Sequence, residues 1–373
     1  MILPDSNRQK LAKSYRHVQV SLVFADWLLL FIYSYIWIKF QIIQNIDKYT
    51  NGLASSQLLF TIMLFVAGIT VIRLPLIFYW MIIVPQKYGL SVENILLWLF
   101  KYLVLAVARL GRNLLLISLF YGAINLILIG KSAIWNILFV VCFGGLFNPN
   151  IFSLLTMLFA SVRPLSQSNP DIDLKLREFS REIGFLIKKI NVYETGYESM
   201  DVNAFAYMGK STVSIGGKLI KMFSIEEIQA IFAHEIGHLK VGMKIKYPRL
   251  LSLYLNLVHP ALVYTLFVFV ISRLALLLSL STLNVIWLPI IYIIVNFYYV
   301  SLALIYSPIR RRMEFAADEF ASQAVGVNAY IQALIHLTDT TLIDYSSRRG
   351  NFIFSEPTVN ERIERLKNLQ ESN

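Results

Sequence analysis

Cysteine, histidine and charge are all scarce in this 373-residue chain. Its single cysteine, Cys142, excludes an intrachain disulfide and any cysteine-rich metal site. Set in an apolar run, Cys142 reads as a small apolar side chain. Charged residues make up only 15% of the chain against 57% apolar residues, and mean hydropathy is +0.60. That balance excludes an ordinary soluble globule and points to a polytopic membrane protein. Acidic residues number 23 against 34 basic ones, a formal net charge of +11. The basic excess is not gathered on one soluble face; it lies beside apolar runs, as in loops retained in the cytoplasm. A triplet such as Arg310-Arg311-Arg312 is a weak signal for nucleic acid, and no nucleic-acid partner is expected. Internal repeats and low-complexity segments are absent from the sequence.

Long apolar runs are what the chain has instead. Segments near 19–43, 57–84, 112–130, 134–161, 249–279 and 283–306 are each long enough for a helix to cross the hydrocarbon. Residues 86–111 read as an interfacial helix, as the start of the third span, or as a short extra span. The first run follows Arg8, Lys10, Lys13 and Arg16, but it exceeds a signal-peptide h-region and lacks a small-residue cleavage site. It reads as an uncleaved first span. Six crossings from an internal N-terminus place 1–18, 85–111, 162–248 and 307–373 on one side. The opposite loops, near 44–56, 131–133 and 280–282, hold only Lys48 and Lys131. That asymmetry makes the basic side cytoplasmic, and a seventh span would spoil it. Arg73 and Arg109, within or beside apolar runs, read as snorkelling or structurally paired cations, or as facing a protein-lined cavity.

Two polar blocks interrupt the grease. The first, 164–248, opens at Pro170 with "DLKLREFSREIGFLIKKI" at helical spacing, followed by short strand candidates "INVYETG", "NAFAYMG" and "STVSIGG". A further helix starts at Ser224, which with Glu227 makes a capping box. The second block, 307–373, is read as a helix capped by Ser307, with Pro308 in its first turn and a stop at Gly326. Helices near 328–342 and 358–371 follow. The fold class is thus mainly α: a membrane helical protein of about six spans with a small α+β domain facing the cytoplasm. Its parts are 1–163 with about four spans, the block 164–248, a transmembrane hairpin 249–306, and the block 307–373.

The helix begun at Ser224 carries "AHEIGHLK", in which His234, Glu235 and His238 form H-E-x-x-H. Histidines four apart project from one helical face, so both imidazoles reach one metal ion. Glu235 is rotated about 100° from His234, beside the metal without ligating it, where it can take a proton from the attacking water and return it to the leaving amine. The pattern suits one tetrahedral Zn2+ with an open position, given a third protein ligand. His17 lies in the N-terminal tail and His259 precedes Pro260 within a span, so His336 is the one serious histidine competitor. "RRMEFAADEFA" offers Glu314 and Asp318 on one helical face. Glu314 can ligate zinc while Asp318 hydrogen-bonds the far nitrogen of a ligating histidine. The bland alternative makes both of them solvated carboxylates, or partners of Arg310 and Arg311.

"NAFA" at 203–206, "AHEIGHLK" at 233–240, "EFAAD" at 314–318 and "EPTVNERIERL" near the end resemble the membrane-integral zinc endopeptidases. That family includes the type I CaaX prenyl protease and the bacterial stress protease HtpX. "LPLIFYWMIIVPQKYGLSVENILLWLFK" at 74–101 is similar to the region after the second span in the CaaX-protease branch. The resemblance covers most of the chain and is strongest over 200–325. It implies a gluzincin-like domain with His234, His238 and Glu314 on zinc, Glu235 as general base and Asp318 behind a histidine. It further implies that Asn203 and Ala204 lie on an edge strand that grips the substrate backbone, a mode with little side-chain demand. One departure stands out. The family's C-terminal motif has a His six residues before an Arg, and the pair holds the developing oxyanion. Arg362 is present, but Glu356 stands where the His is expected, and an ionised carboxylate would repel an oxyanion. Either Arg362, the expected main stabiliser, suffices, or Arg348, Arg349 or Tyr345 substitutes for the His, or activity is lower.

The sequence therefore reads as a membrane-embedded zinc endopeptidase acting near the cytoplasmic surface, in quality control of membrane proteins. The alternatives are cleavage of prenylated CaaX peptides and a proteolytically weak scaffold or transporter component. The implied partners are a peptide bound as an added strand and the lipid bilayer.

Overall fold

The computed structural model describes residues 5–40, 54–90, 95–96, 98–104, 106–107, 110–111, 161–194, 201–207, 211–244, 266, 269–270, 273, 277, 288–345 and 356–371. The expected spans at 112–130, 134–161 and 249–279 lie outside these apart from Ser161 and isolated positions, as do Arg109, Cys142, His259, Arg348 and Arg349. Among the described residues, two helical stretches, Ser6–Lys39 and Phe60–Lys87, are long and apolar enough to cross a membrane.

Helix α1 (Ser6–Lys39) starts where the Asp5 carboxylate accepts from the Asn7 and Arg8 amides. At a rise of about 1.5 Å per residue its length exceeds the roughly 30 Å hydrocarbon core, so its first turns extend beyond the expected span. Helix α2 (Ala54–Phe78) contains Pro75, passes through a π turn at Tyr79–Ile83 and ends after Val84–Lys87. Helices typically bend at such features. The two helices meet at Gly68, which leaves room for the Tyr33 ring, and the Tyr33 hydroxyl donates to the Phe65 carbonyl at 3.0 Å. Small residues allow this close approach where lipid supplies no hydrophobic drive. Further along, Arg73 pairs with Asp26 of α1 through both carboxylate oxygens, so Arg73 takes the structural-pair alternative.

The polar blocks form a four-stranded sheet packed on helices. Strands β1 (Ser161–Pro164), β2 (Lys189–Glu194), β3 (Ala204–Tyr207) and β4 (Thr212–Gly216) run in the order β1-β2-β4-β3. Only the β2–β4 pair is parallel. Helix α3 (Pro170–Glu182) has Pro170 in its first turn, and Gly184 at φ 67 ends it with its amide on the Arg181 carbonyl. Helix α4 (Ile225–Lys244) follows the expected capping box: Ser224 N donates to Glu227 Oε2 at 2.8 Å, and Glu227 N to Ser224 Oγ at 3.2 Å. Leu165, Leu176, Ile190, Val213, Ile215 and Phe232, each at most 1% exposed, form the centre of the core between sheet and helices.

One element differs from expectation. Helix α5 (Leu288–Val325) runs unbroken through Pro308 rather than starting at Ser307. Ser307 is buried rather than standing at a solvated helix start, and helix-forming residues flank it on both sides. The missing Pro308 donor costs one bond but not the helix. The expected sixth span and the Glu314 segment are therefore one rod. Gly326, at φ 88, then turns the chain at once into α6 (Val327–Thr341), and Thr358 caps α7 (Val359–Glu371) in a second box with Glu361.

Candidate metal centre

Helix α4 crosses α5 where Gly237 faces Ala317. A Cβ at Gly237 would stand 2.8 Å from the Ala317 Cα. This contact brings the two chemistry-bearing turns together. The Nε2 atoms of His234 and His238 are 3.1 Å apart, and Glu314 Oε2 and Oε1 lie 3.4 and 3.5 Å from them respectively. Zinc bonds of 2.0–2.1 Å in a tetrahedron place ligand atoms about 3.3–3.4 Å apart. The observed separations are close to that spacing, the two histidines each facing a different oxygen of the Glu314 carboxylate, and nitrogen and carboxylate oxygen are donors zinc favours. Among the described residues these three form the one such group of histidines and carboxylates, with donor atoms within 4.8 Å of one another.

The surroundings are polar and tightly connected. Asp318, 1% exposed, has Oδ1 3.0 Å from His234 Nδ1. Arg362, delivered by α7, donates Nη2 to Asp318 Oδ1 at 2.5 Å and Nε to Oδ2 at 2.8 Å. Its Nη1 has no hydrogen-bond partner among the described residues. The Tyr330 hydroxyl of α6 donates to Asp318 Oδ1 at 2.6 Å and lies 3.0 Å from both His234 Nδ1 and Arg362 Nη2. Sequence reasoning missed Tyr330. A tyrosine in the apolar pattern of α6 looks like any core aromatic, and nothing local distinguishes it.

These contacts shift the titrating groups. Burial lowers the His234 imidazole, but hydrogen bonds to Asp318 and Glu314 outweigh it and raise its pKa to about 9. His238 falls to about 4 through burial and the neighbouring His234 charge. Burial also pushes Glu235 up to about 7, Glu314 adding to the effect and His234 opposing it. Glu314 is half-buried and Asp318 buried, yet His234 and Arg362 hold both below the usual carboxylate range. Proton and metal compete for the same nitrogen lone pairs, so a cation bound here would displace the proton from His234.

Strand β3 passes Glu235, and the nearby Ala206 backbone opposes the upward shift of that carboxyl. The exposed Asn203 precedes β3, its carbonyl taken by Tyr193 Oη and the Gly216 amide, while its Oδ1 accepts from the Ala204 amide. Ala204 itself is buried. The other two described histidines lie elsewhere: His336 pairs with Glu227 at 2.8 Å and stacks on Phe223, and His17 is exposed on α1. Glu356 is exposed, 4.0 Å from Arg310, and Tyr345 docks its amide on Gln9 of α1.

Comparison with known proteins gives a consistent pattern. A family model described as peptidase family M48 matches residues 166–370, more than half of the chain. A CAAX prenyl protease 1 homolog of Dictyostelium discoideum is 24% identical over 349 residues, covering 89% of this chain and 77% of its own. A probable CAAX prenyl protease 1 of Schizosaccharomyces pombe is 25% identical, covering 88% and 71%. Protease HtpX of Pseudomonas putida is 28% identical over 230 residues, covering 52% and 69%. The crystal structure of S. mikatae Ste24p shares the fold, with a TM-score of 0.71 over 98% of this chain and 91% of that one, at 20% identity.

Proposed function

The chain belongs to peptidase family M48, and from that premise we propose that this metalloprotease is a membrane-embedded endopeptidase whose single zinc ion is held by His234, His238 and Glu314. The observation that carries this reading is the convergence of those three donors at tetrahedral spacing. When bound, zinc supplies Lewis acidity for the scissile carbonyl and for water.

The chain's own residues do the rest. Glu235 is the general base: a carboxyl raised to about 7 can both accept and return a proton near neutral pH. The Asp318 carboxylate accepts from His234 Nδ1–H, the proton staying on nitrogen, and so keeps Nε2 as a lone pair facing the ligand cluster. Arg362 stabilises charge on the substrate oxygen through Nη1, its other two nitrogens being engaged. The substrate lies along the outer edge of β3, the last strand in the sheet order, with Asn203 and Ala204 at its start. Main-chain pairing of this kind accepts many sequences, which suits a protease for misfolded membrane proteins. The site faces the cytoplasm in this reading.

A second reading, cleavage of prenylated C-terminal peptides, is favoured by the extent of similarity. The two relatives named CAAX prenyl protease match across 89% and 88% of the chain, the HtpX relative across 52%. Purified protein beside its Glu235→Gln variant, offered an unfolded membrane protein and a farnesylated peptide, separates the two. Cleavage by the wild type alone, abolished by chelation and restored by zinc, supports the enzyme, and the preferred substrate chooses the branch. Equal cleavage by both proteins, or none by either, overturns it.

A further inference from the structure

Three groups compete for the space behind His234, and their hydrogen atoms can be counted. The Asp318 carboxylate has none to give. Arg362 only donates, and its Nη2 reaches both Asp318 Oδ1 and the Tyr330 oxygen. The Tyr330 hydroxyl has one proton. Its shortest contact, 2.6 Å, is to Asp318 Oδ1, so the proton is spent there. The hydroxyl oxygen then accepts from Arg362 Nη2 and, 3.0 Å away, from His234 Nδ1. Were the Tyr330 proton turned instead to Nδ1, the imidazole hydrogen would move to Nε2 and point into the ligand cluster. The direction of one hydroxyl proton therefore works with the Asp318 carboxylate to keep the lone pair of His234 on Nε2.

Resting on the metal-site reading above, we propose that Tyr330 is a positioning residue of that site. Its hydroxyl is a second acceptor for His234 Nδ1–H and a bolt that holds Arg362 against Asp318. The backbone explains how it arrives. Gly326 turns the chain between α5 and α6 in a single residue, so the first turn of α6 lays Tyr330 back over Asp318, only 12 residues earlier. The ring is 2% exposed and lies nearly parallel to His234, at 16° with centroids 6.1 Å apart. In so dry a place water cannot stand in for a lost hydroxyl, and the Asp318 carboxylate would have to satisfy both cations without help.

Tyr330→Phe removes the hydroxyl and keeps the ring. In full-length protein purified in detergent, competition with a chromophoric chelator should show zinc affinity weakened by about tenfold. The cobalt(II)-substituted absorption spectrum should shift as well, while the melting temperature at saturating zinc falls by no more than it does in the packing control below. Leu334→Ala, one turn along the same helix and buried in the core, serves as the packing control; it should lower the melting temperature and leave zinc affinity alone. Wild-type zinc affinity with an unchanged cobalt spectrum in Tyr330→Phe overturns the proposal, as does an equal loss of zinc in Leu334→Ala. His238→Ala keeps the two levels apart: if it binds zinc like the wild type, the metal site itself is wrong, whatever Tyr330 does.

Discussion

Arg362 and Asp318, 44 residues apart in sequence, close on each other through two hydrogen bonds of 2.5 and 2.8 Å. A planar fork meeting a carboxylate in this way fixes both partners. It also changes what an alanine at 362 would test. Removing Arg362 leaves a buried carboxylate without its counter-charge, at a cost of about 3–5 kcal/mol for breaking such a pair. Arg362→Ala should therefore lower both the melting temperature and the turnover. The same substitution in an Asp318→Asn background should recover much of the stability, while turnover still falls below that of Asp318→Asn alone. If the double variant turns over like Asp318→Asn, Arg362 has no part in the chemistry beyond holding Asp318.

Gly237 sits between the two histidines, and its reason for being glycine lies on another helix. Alanine is the better helix former by about 1 kcal/mol. A Cβ there would press on Ala317 backbone, 2.8 Å from Cα and 3.0 Å from the carbonyl oxygen. Backbone in a packed helix cannot step aside cheaply, so the clash outweighs the propensity gain. Gly237→Ala should destabilise by about 1–3 kcal/mol, as overpacked sites do, and should loosen zinc by moving Glu314 away from His238. Chemical denaturation and chelator competition measure the two effects. A variant at least as stable as the wild type would show that α4 and α5 are not locked at this crossing.

The sequence disclosed the parts whose signals are local. H-E-x-x-H, the Ser224–Glu227 box and the strands around "INVYETG" and "STVSIGG" depend on neighbours within a few residues, and the structure has a helix and strands there. Spacing placed Glu314 and Asp318 on one helical face, but only the resemblance singled out zinc and a histidine as their partners, because their position depends on a helix crossing at Gly237 and Ala317. Tyr330 was invisible for the same reason. Pro308 misled: a proline after a serine reads as a helix start, yet the apolar run upstream was already helical and carried through it.

The first turns of α1 reach the far end of α6. Gln9 donates to Asp339 Oδ1 at 2.9 Å and accepts from the Tyr345 amide at 3.0 Å, and the Asp5 amide donates to Asp339 Oδ2 at 3.0 Å. Leu342, at φ 53, ends α6 and packs with Ala12 and Leu22 of α1. Helix α1 is thus tied to the same element that carries Tyr330. Gln9→Ala should weaken this tie by roughly 1–2 kcal/mol, the sum expected for two or three half-exposed hydrogen bonds. Hydrogen exchange at 6–12 and 339–345 should quicken by about tenfold or more while the core of β2 and β4 stays protected. Unchanged exchange would mean that the apolar contacts alone hold α1 in place.

Asp26 and Arg73 face each other between the two stretches long and apolar enough to cross a membrane, paired through both carboxylate oxygens. In hydrocarbon an unpaired charge costs far more than in water, whereas a neutral apolar pair costs nothing. The single substitutions Asp26→Leu and Arg73→Met each strand one charge. Each should destabilise by about 2.5–3.5 kcal/mol, the cost of a lone charge at mid-membrane. The double substitution strands neither and should be close to wild type in stability. Unfolding in a denaturing detergent series gives all four values of the cycle. If the single variants are as stable as the double, the two charges already reach water or headgroups. If the double is stable but inactive, the pair serves the reaction rather than the packing of α1 on α2.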